Sequence, residues 1–167
     1  MEIEIAIDSY DDMFSDFDIR SFPQRQVSED FLDELKVRMV RRTDELKPII
    51  VLIIENSKRT VKHERLIIKR LKSFFEERYS SYIHQRAKNI RQSCISGILG
   101  LVFLFAAKIL SKHVDSMFGD FLLIPSWYLV WSALENVLGN NQEITKKLKY
   151  YKELSESTIE FRDRIKV

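Results

Sequence analysis

Hydrophobic and polar positions alternate at both ends of the chain. Ile3, Ile5 and Ile7 share one face and Glu2, Glu4 and Asp8 the other, which is the period of a half-buried strand. Near the other end, Ile159, Phe161, Ile165 and Val167 alternate with Glu160, Arg162, Arg164 and Lys166 and predict a strand with a basic outer face. A third stretch, PIIVLIIE at 48–55, is apolar on both faces and predicts the most buried strand. Opposite charges on the two terminal strands predict that these pair, within a chain or between chains, at a few tenths of a kcal/mol per cross-strand pair. Three short strands need helices or another subunit to cover them.

The helical pattern lies between. Ser28 suits an N-cap, Glu29 and Asp30 suit the positive end of a helix dipole, and Phe31, Leu32, Leu35 and Met39 form a stripe running up to about Glu45. Pro48 then favours extended backbone. From Thr60 to Leu110 only Gly97 and Gly100 interrupt good helix formers, and Ile67, Leu71, Phe74, Phe75, Arg78 and Tyr82 trace a helical stripe. One continuous helix there would be about 75 Å long. Gln142–Ser157 reads as a polar helix leading back to the last strand.

Two apolar stretches predict membrane spans. Cys94–Leu110 holds one charge, Lys108, and its 17 residues cover roughly 26 Å as a helix. Phe118–Leu138 is apolar between Asp120 and Glu135, with Pro125 expected to bend it and Trp127, Tyr128 and Trp131 away from its ends. The segment SKHVDSM between them suits the turn of an antiparallel hairpin. Arg86, Lys88 and Arg91 precede the first span, and Lys146, Lys147 and Lys149 follow the second, so the positive-inside rule places both termini in the cytoplasm of an inner (cytoplasmic) membrane protein. A soluble helical core hairpin is the competing reading. Ser93 with Gly97, and Ser96 with Gly100, form small-residue pairs that let helices approach closely. The expected fold class is therefore membrane α+β: a small cytoplasmic mixed sheet with helices, built from 1–92 and 139–167, plus a two-helix transmembrane hairpin at 93–138.

Composition sharpens this picture. A mean hydropathy of −0.21 over 167 residues argues against a chain made only of spans. The formal charge of +2 conceals an asymmetry: residues 1–18 carry seven acidic side chains and no basic one, whereas 58–92 carry eleven Lys/Arg against three Glu. The single Cys94 excludes an intrachain disulfide and a Cys-based zinc cluster. The opening MEIEIAIDSYDD has the pattern of neither a basic nor an apolar leader region, so no cleavable signal is expected.

The acidic arm DSYDDMFSDFDIRSFP interleaves Asp8, Asp11, Asp12, Asp16 and Asp18 with Tyr10, Phe14, Phe17 and Phe22. Asp11, Asp12, Asp16 and Asp18 are the candidates for a hard cation, but EF-hand spacing, its central Gly and its closing Glu are missing, so no metal and no cofactor are expected. The aromatics are expected to anchor the arm to the domain or to a neighbouring subunit, with the aspartates facing Lys/Arg of the 58–92 helix or water. No GxSxG, Walker or GxGxxG motif is present. His63 and His84 would lie about 31 Å apart on one helix, and His113 across the membrane.

Arg78-YSSYI-His84 resembles the Arg-x4-6-His element of HEPN-type ribonucleases over seven residues, which implies a pair acting on an RNA phosphate. Positions six apart project about 120° from one another, so chance explains that match better. Ile5–Asp18, including FSDFD, and Phe31–Leu35 resemble a group of small prokaryotic two-span membrane proteins, a resemblance that implies the architecture and no activity.

The expected function is a non-enzymatic oligomeric membrane module in which a cytoplasmic domain assembles hairpins as an anchor, a scaffold or a pore. A pore would draw on Ser96, Lys108, Asp120, Ser126, Ser132, Glu135 and Asn136. The alternatives are a membrane-anchored HEPN-like ribonuclease using Arg78 and His84, and an adaptor binding anionic lipid or RNA. Expected partners are further copies of the chain, membrane lipids contacting Arg86, Lys88 and Arg91, and another protein through the arm. Nucleic acid is not expected.

Overall fold

The computed structural model describes residues 2–40, 47–55, 59–113 and 116–164, with the side chains of 113, 116–120 and 140 outside the description. In chain order it contains β1 (Glu2–Ala6), a 3-10 turn (Tyr10–Met13), α1 (Glu29–Val40), β2 (Ile49–Ile54), α2 (Val61–His113), α3 (Ser116–Glu135), a π turn (Asn136–Asn140), α4 (Asn141–Ser155) and β3 (Thr158–Asp163). Two compact units result: a sheet domain of 1–79 with 150–167, and a hairpin unit of 80–149.

The sheet has the order β1-β2-β3 with both pairs parallel. This corrects two expectations, that the sheet is mixed and that the terminal strands pair with each other within the chain. The all-apolar β2 takes the centre, where both its edges are hydrogen-bonded, and leaves the half-polar strands to the edges. The charge complementarity acts across it: Arg162 of β3 reaches over β2 to Glu2 at 2.7 and 3.0 Å and to Glu4 at 3.6 Å. Register places Ile3 beside Ile50 and Ile5 beside Leu52, which in turn lie beside Ile159 and Phe161.

These side chains meet one helical layer. Phe31, Leu35 and Met39 of α1, Ile67, Leu71, Phe74 and Phe75 of α2, and Leu154 of α4 join the inward residues of the strands in one core. Both crossovers carrying helices to the same face is what right-handed connections in a 1-2-3 order produce. The opposite face carries Glu2, Glu4, Glu160 and Arg162, all exposed. The last part of the β3 alternation, Ile165 to Val167, and the expected end of the first helix near Glu45 lie outside the described residues.

In the hairpin unit, α2 runs to His113 and α3 begins at Ser116, so most of the expected Ser111–Met117 turn is helical; Val114 and Asp115 lie outside the described residues. No breaker stands in Ser111–His113, and the helix continues through it. α3 also continues through Pro125, with the Ser126 hydroxyl donating to the Leu122 carbonyl at 2.5 Å. The π turn and α4 follow without a loop.

The glycines set the helix spacing here. A Cβ on Gly100 would meet Val130 Cγ2 at 2.8 Å, Val130 N at 3.1 Å and Leu129 Cβ at 3.2 Å, and one on Gly97 would meet Ala133 Cβ at 3.6 Å. Only Gly fits at position 100 without displacing α3. Ser93 is buried and donates to the Asn89 carbonyl at 2.9 Å, while Ser96 is half-buried.

Candidate functional site

Two regions carry the candidate residues: the arm within the sheet domain and the surface of the hairpin unit. The arm leaves β1 through a capped turn. Asp12 accepts from the amides of Asp8 at 2.8 Å and Ser9 at 3.0 Å, and the Ser9 side chain accepts from Asp11 N. This reciprocal cap satisfies donors that a short turn otherwise leaves orphaned.

Beyond the turn the arm closes on itself. Phe14 bridges Val27, Ser15 N donates to Gln26 O at 2.9 Å, and Ser28 N donates to Met13 O at 2.9 Å. At the tip, the Asp18 carboxylate accepts from Arg20 Nε at 2.8 Å, from Arg20 Nη2 at 2.7 Å and from Gln26 N at 2.7 Å. The Arg20 guanidinium beside it holds the Asp18 carboxyl well below the usual carboxylate range. Arg25 pairs with Asp11 and lies over the Phe14 ring at 5.7 Å. Of the aspartates expected to face the 58–92 helix or water, Asp18 and Asp11 are thus held by the arm's own Arg20 and Arg25, and Asp12 by the backbone amides of the turn. A guanidinium two to fourteen residues away costs less chain entropy to bring in than one on a distant helix.

The aromatics divide. Tyr10 and Phe14 are buried, and Phe22 packs at the edge of the core against Tyr10 and His63. Phe17 is 99% exposed and its neighbour Ile19 98% exposed. Phe17 therefore anchors nothing among the described residues, and Ile19 is an exposed apolar residue that reading the sequence missed. Phe17 and Asp16 line a groove of ≈ 350 Å³ with Phe14, Val27, Glu29 and Asp30.

A second cluster, unforeseen in the sequence, ties the arm to the sheet. Arg59 donates to Glu64 at 2.7 and 3.1 Å, to Asp163 at 2.5 Å and to the Phe161 carbonyl at 3.2 Å. The Tyr10 hydroxyl donates to Glu64 at 3.2 Å and accepts from Thr60 N at 2.8 Å. Glu64 pushes the Arg59 guanidinium further up from its already high range, and burial pushes the Tyr10 phenol up. A carboxylate with this many donors is engaged in structure, joining the end of β3, the start of α2 and the arm.

The remaining candidates stay apart. Arg78 sits over the Phe74 ring at 5.2 Å, and His84 Nδ1 lies 2.8 Å from the Ser80 carbonyl of its own helix. Among the described residues no group of three or more His, Cys, Asp or Glu is placed to hold a metal ion, and Asp11, Asp12 and Asp18 are engaged as given above. Arg86, Lys88 and Arg91 are exposed on α2 and make no ion pair among the described residues. The side chains of Asp120 and His113 lie outside the description.

The hairpin unit is apolar outward. Phe105, Ile124 and Trp131 are 68%, 72% and 66% exposed, and α2 and α3 with its continuation are long and apolar enough to cross a membrane. The most apolar window of the first is 17% buried and that of the second 11% buried. Comparison with protein families, curated proteins and solved structures gives no match to this chain.

Proposed function

We propose that this is a non-enzymatic two-span membrane protein whose hairpin anchors a cytoplasmic sheet domain and whose sheet domain assembles copies of the chain. The observation that carries the reading is the outward apolar surface of the hairpin unit, where fewer than a fifth of the residues in either apolar window are buried. A helix serving as a soluble core would bury that stripe, and a contiguous apolar surface of this extent in water is an aggregation hazard, whereas in lipid it is the favoured solvent. Exposed Arg86, Lys88 and Arg91 then meet anionic headgroups and set the cytoplasmic orientation of the domain.

An anchor fits better than a pore. The buried hydroxyls Ser93 and Ser126 both donate back to carbonyls of their own helices, so they offer no lining to a solute. Assembly is favoured by a three-stranded sheet whose β1 and β3 are open edges among the described residues. The test has two parts. Membranes washed with alkaline carbonate should retain the protein, and an acceptor glycosylation site inserted between the spans should be modified while sites at either terminus are not. Release by carbonate sinks the membrane reading, and a monomer by mass measurement in lipid nanodiscs sinks the assembly reading.

A further inference from the structure

The sheet domain carries two surfaces of opposite charge, and neither finds its counterpart among the described residues. The first is the groove beside the arm tip, walled by Asp16, Glu29 and Asp30 over a floor of Phe14 and Val27, with Phe17 standing out at 99% exposure. Asp16, Glu29 and Asp30 make no ion pair among the described residues, although Asp11 and Asp18 of the same arm are neutralised by Arg25 and Arg20. The second is a ridge on the sheet-domain part of α2. Lys62, Arg65, Lys69 and Lys72 are all exposed and fall within about 80° of the helix circumference. None of the four is paired with a carboxylate among the described residues, and exposed Val61 borders them.

The arm tip is built to hold its apolar residues out. Four donors from Arg20 and Gln26 fix Asp18 between Phe17 and Ile19, and the Phe14–Val27 bridge closes the loop behind it. Ordering a loop around two exposed apolar side chains yields no burial within the chain, whereas burying each against a partner is worth roughly 1.5–3 kcal/mol. The acids in the wall select the partner's charge: an anionic membrane or RNA is repelled by them, and a basic helix is attracted.

We propose that the arm groove of one chain receives the Lys62–Lys72 ridge of a second copy, with Phe17 and Ile19 packing against that helix. This rests on the assembly reading above and names the surfaces that would carry it. Each copy offers both surfaces, so every contact pairs the groove of one chain with the ridge of another.

The experiment is a charge swap in the full-length protein held in lipid nanodiscs. One variant reverses the groove (D16K, E29K, D30K) and a second reverses the ridge (K62E, R65E, K69E, K72E). Each alone should associate at least about tenfold more weakly than the parent, since like charges then face each other in every contact. Mixed together they should form a hetero-oligomer of parental strength, because every contact between the two regains opposite charges. In a C94S background, the pair F17C and K69C should cross-link between chains. Circular dichroism and thermal melting of each variant, compared with the parent, separate lost contact from lost folding, and recovery on mixing cannot come from unfolded chains.

If the parent is oligomeric while both variants associate as it does and the cross-link is absent, the inference fails and the assembly reading stands. A monomeric parent removes both. Ridge reversal that leaves the mass unchanged but abolishes binding to phosphatidylglycerol vesicles or to single-stranded RNA assigns the ridge to that ligand and overturns the inference.

Discussion

The sheet domain and the hairpin unit use the same apolar residue types in opposite ways. Phe14, Phe75, Leu52 and Leu71 are no more than 2% exposed, while Phe105, Phe121 and Ile124 of the hairpin unit are 68% exposed or more. The first arrangement gains from removing apolar area from water; the second gains only if water is absent from its surroundings. Polar groups follow the same division. In the sheet domain they link distant segments, as Arg59 does with Glu64 and Asp163, whereas the buried serines of the hairpin unit turn to their own helices. One chain therefore holds two kinds of packing, and a given substitution should have different consequences in each.

The largest difference is expected for truncation of an aromatic side chain. Phe14→Ala should cost about 3–5 kcal/mol of sheet-domain stability, as cavity formation in a packed core does. Phe17→Ala should stay within about 0.5 kcal/mol in monomer stability, because the side chain is exposed. Thermal melts of both variants in detergent, followed by near-ultraviolet circular dichroism, give the comparison. Equal losses would mean that Phe17 is buried within its own chain.

Introducing a charge should separate the units next. Val102→Arg in α2 should cost about 2.5–3.5 kcal/mol of insertion, read as a reduced glycosylated fraction of a reporter placed between the spans. Val37→Arg, on the half-exposed face of α1, should leave that fraction unchanged and shift stability by about 0.5 kcal/mol or less. Val102→Arg inserting like the parent would count against lipid as the surroundings of α2.

A smaller contrast lies within the hairpin unit. Gly100→Ala places a methyl 2.8 Å from Val130 Cγ2 and should cost about 1–3 kcal/mol through displacement of α3. Gly139→Ala meets nothing within 4 Å and should be neutral or slightly stabilising. Unfolding of the two variants in mixed detergent micelles measures both; a neutral Gly100→Ala would show that the helices slide apart at little cost.

The smallest effect expected is on the pH response of the arm. Asp18 is depressed in the folded state, so its contribution is fully present above the unfolded carboxyl range near about pH 4 and is lost as pH falls through the lower folded value. Asp18→Asn should remove that acid dependence at the arm tip and leave the hairpin unit unaffected. The amide resonance of Gln26, which donates to Asp18 at 2.7 Å, reports the change. A Gln26 titration identical in parent and variant would place the acid response elsewhere.

Much of this was written in local pattern. Ile3 and Ile5 on one face of β1 with Ile7 just beyond it, the stripe Phe31–Leu35–Met39 on α1, and the long helix-forming run of α2 depend on periods of 2 and 3.6 residues, which near neighbours alone create. The apolar stretches beginning at Cys94 and in α3 were legible because composition determines the solvent a helix can tolerate. Gly97 and Gly100 were visible as small residues at helical spacing, but their partners Ala133 and Val130 were not.

Tertiary structure decided what depends on competition between distant segments. Sequence made the terminal strands complementary in charge, yet β2 took the place between them because an all-apolar strand loses more at an edge than a surface ion pair returns. Five aspartates and a basic helix looked like partners; nearer Arg20 and Arg25 won two of the carboxylates, those of Asp18 and Asp11, because a short loop closes at lower entropic cost. Phe14 and Phe17 are alike in the sequence, three residues apart in one acidic arm. Only the closure of that arm through Phe14 and Val27 placed one in the core and left the other in water.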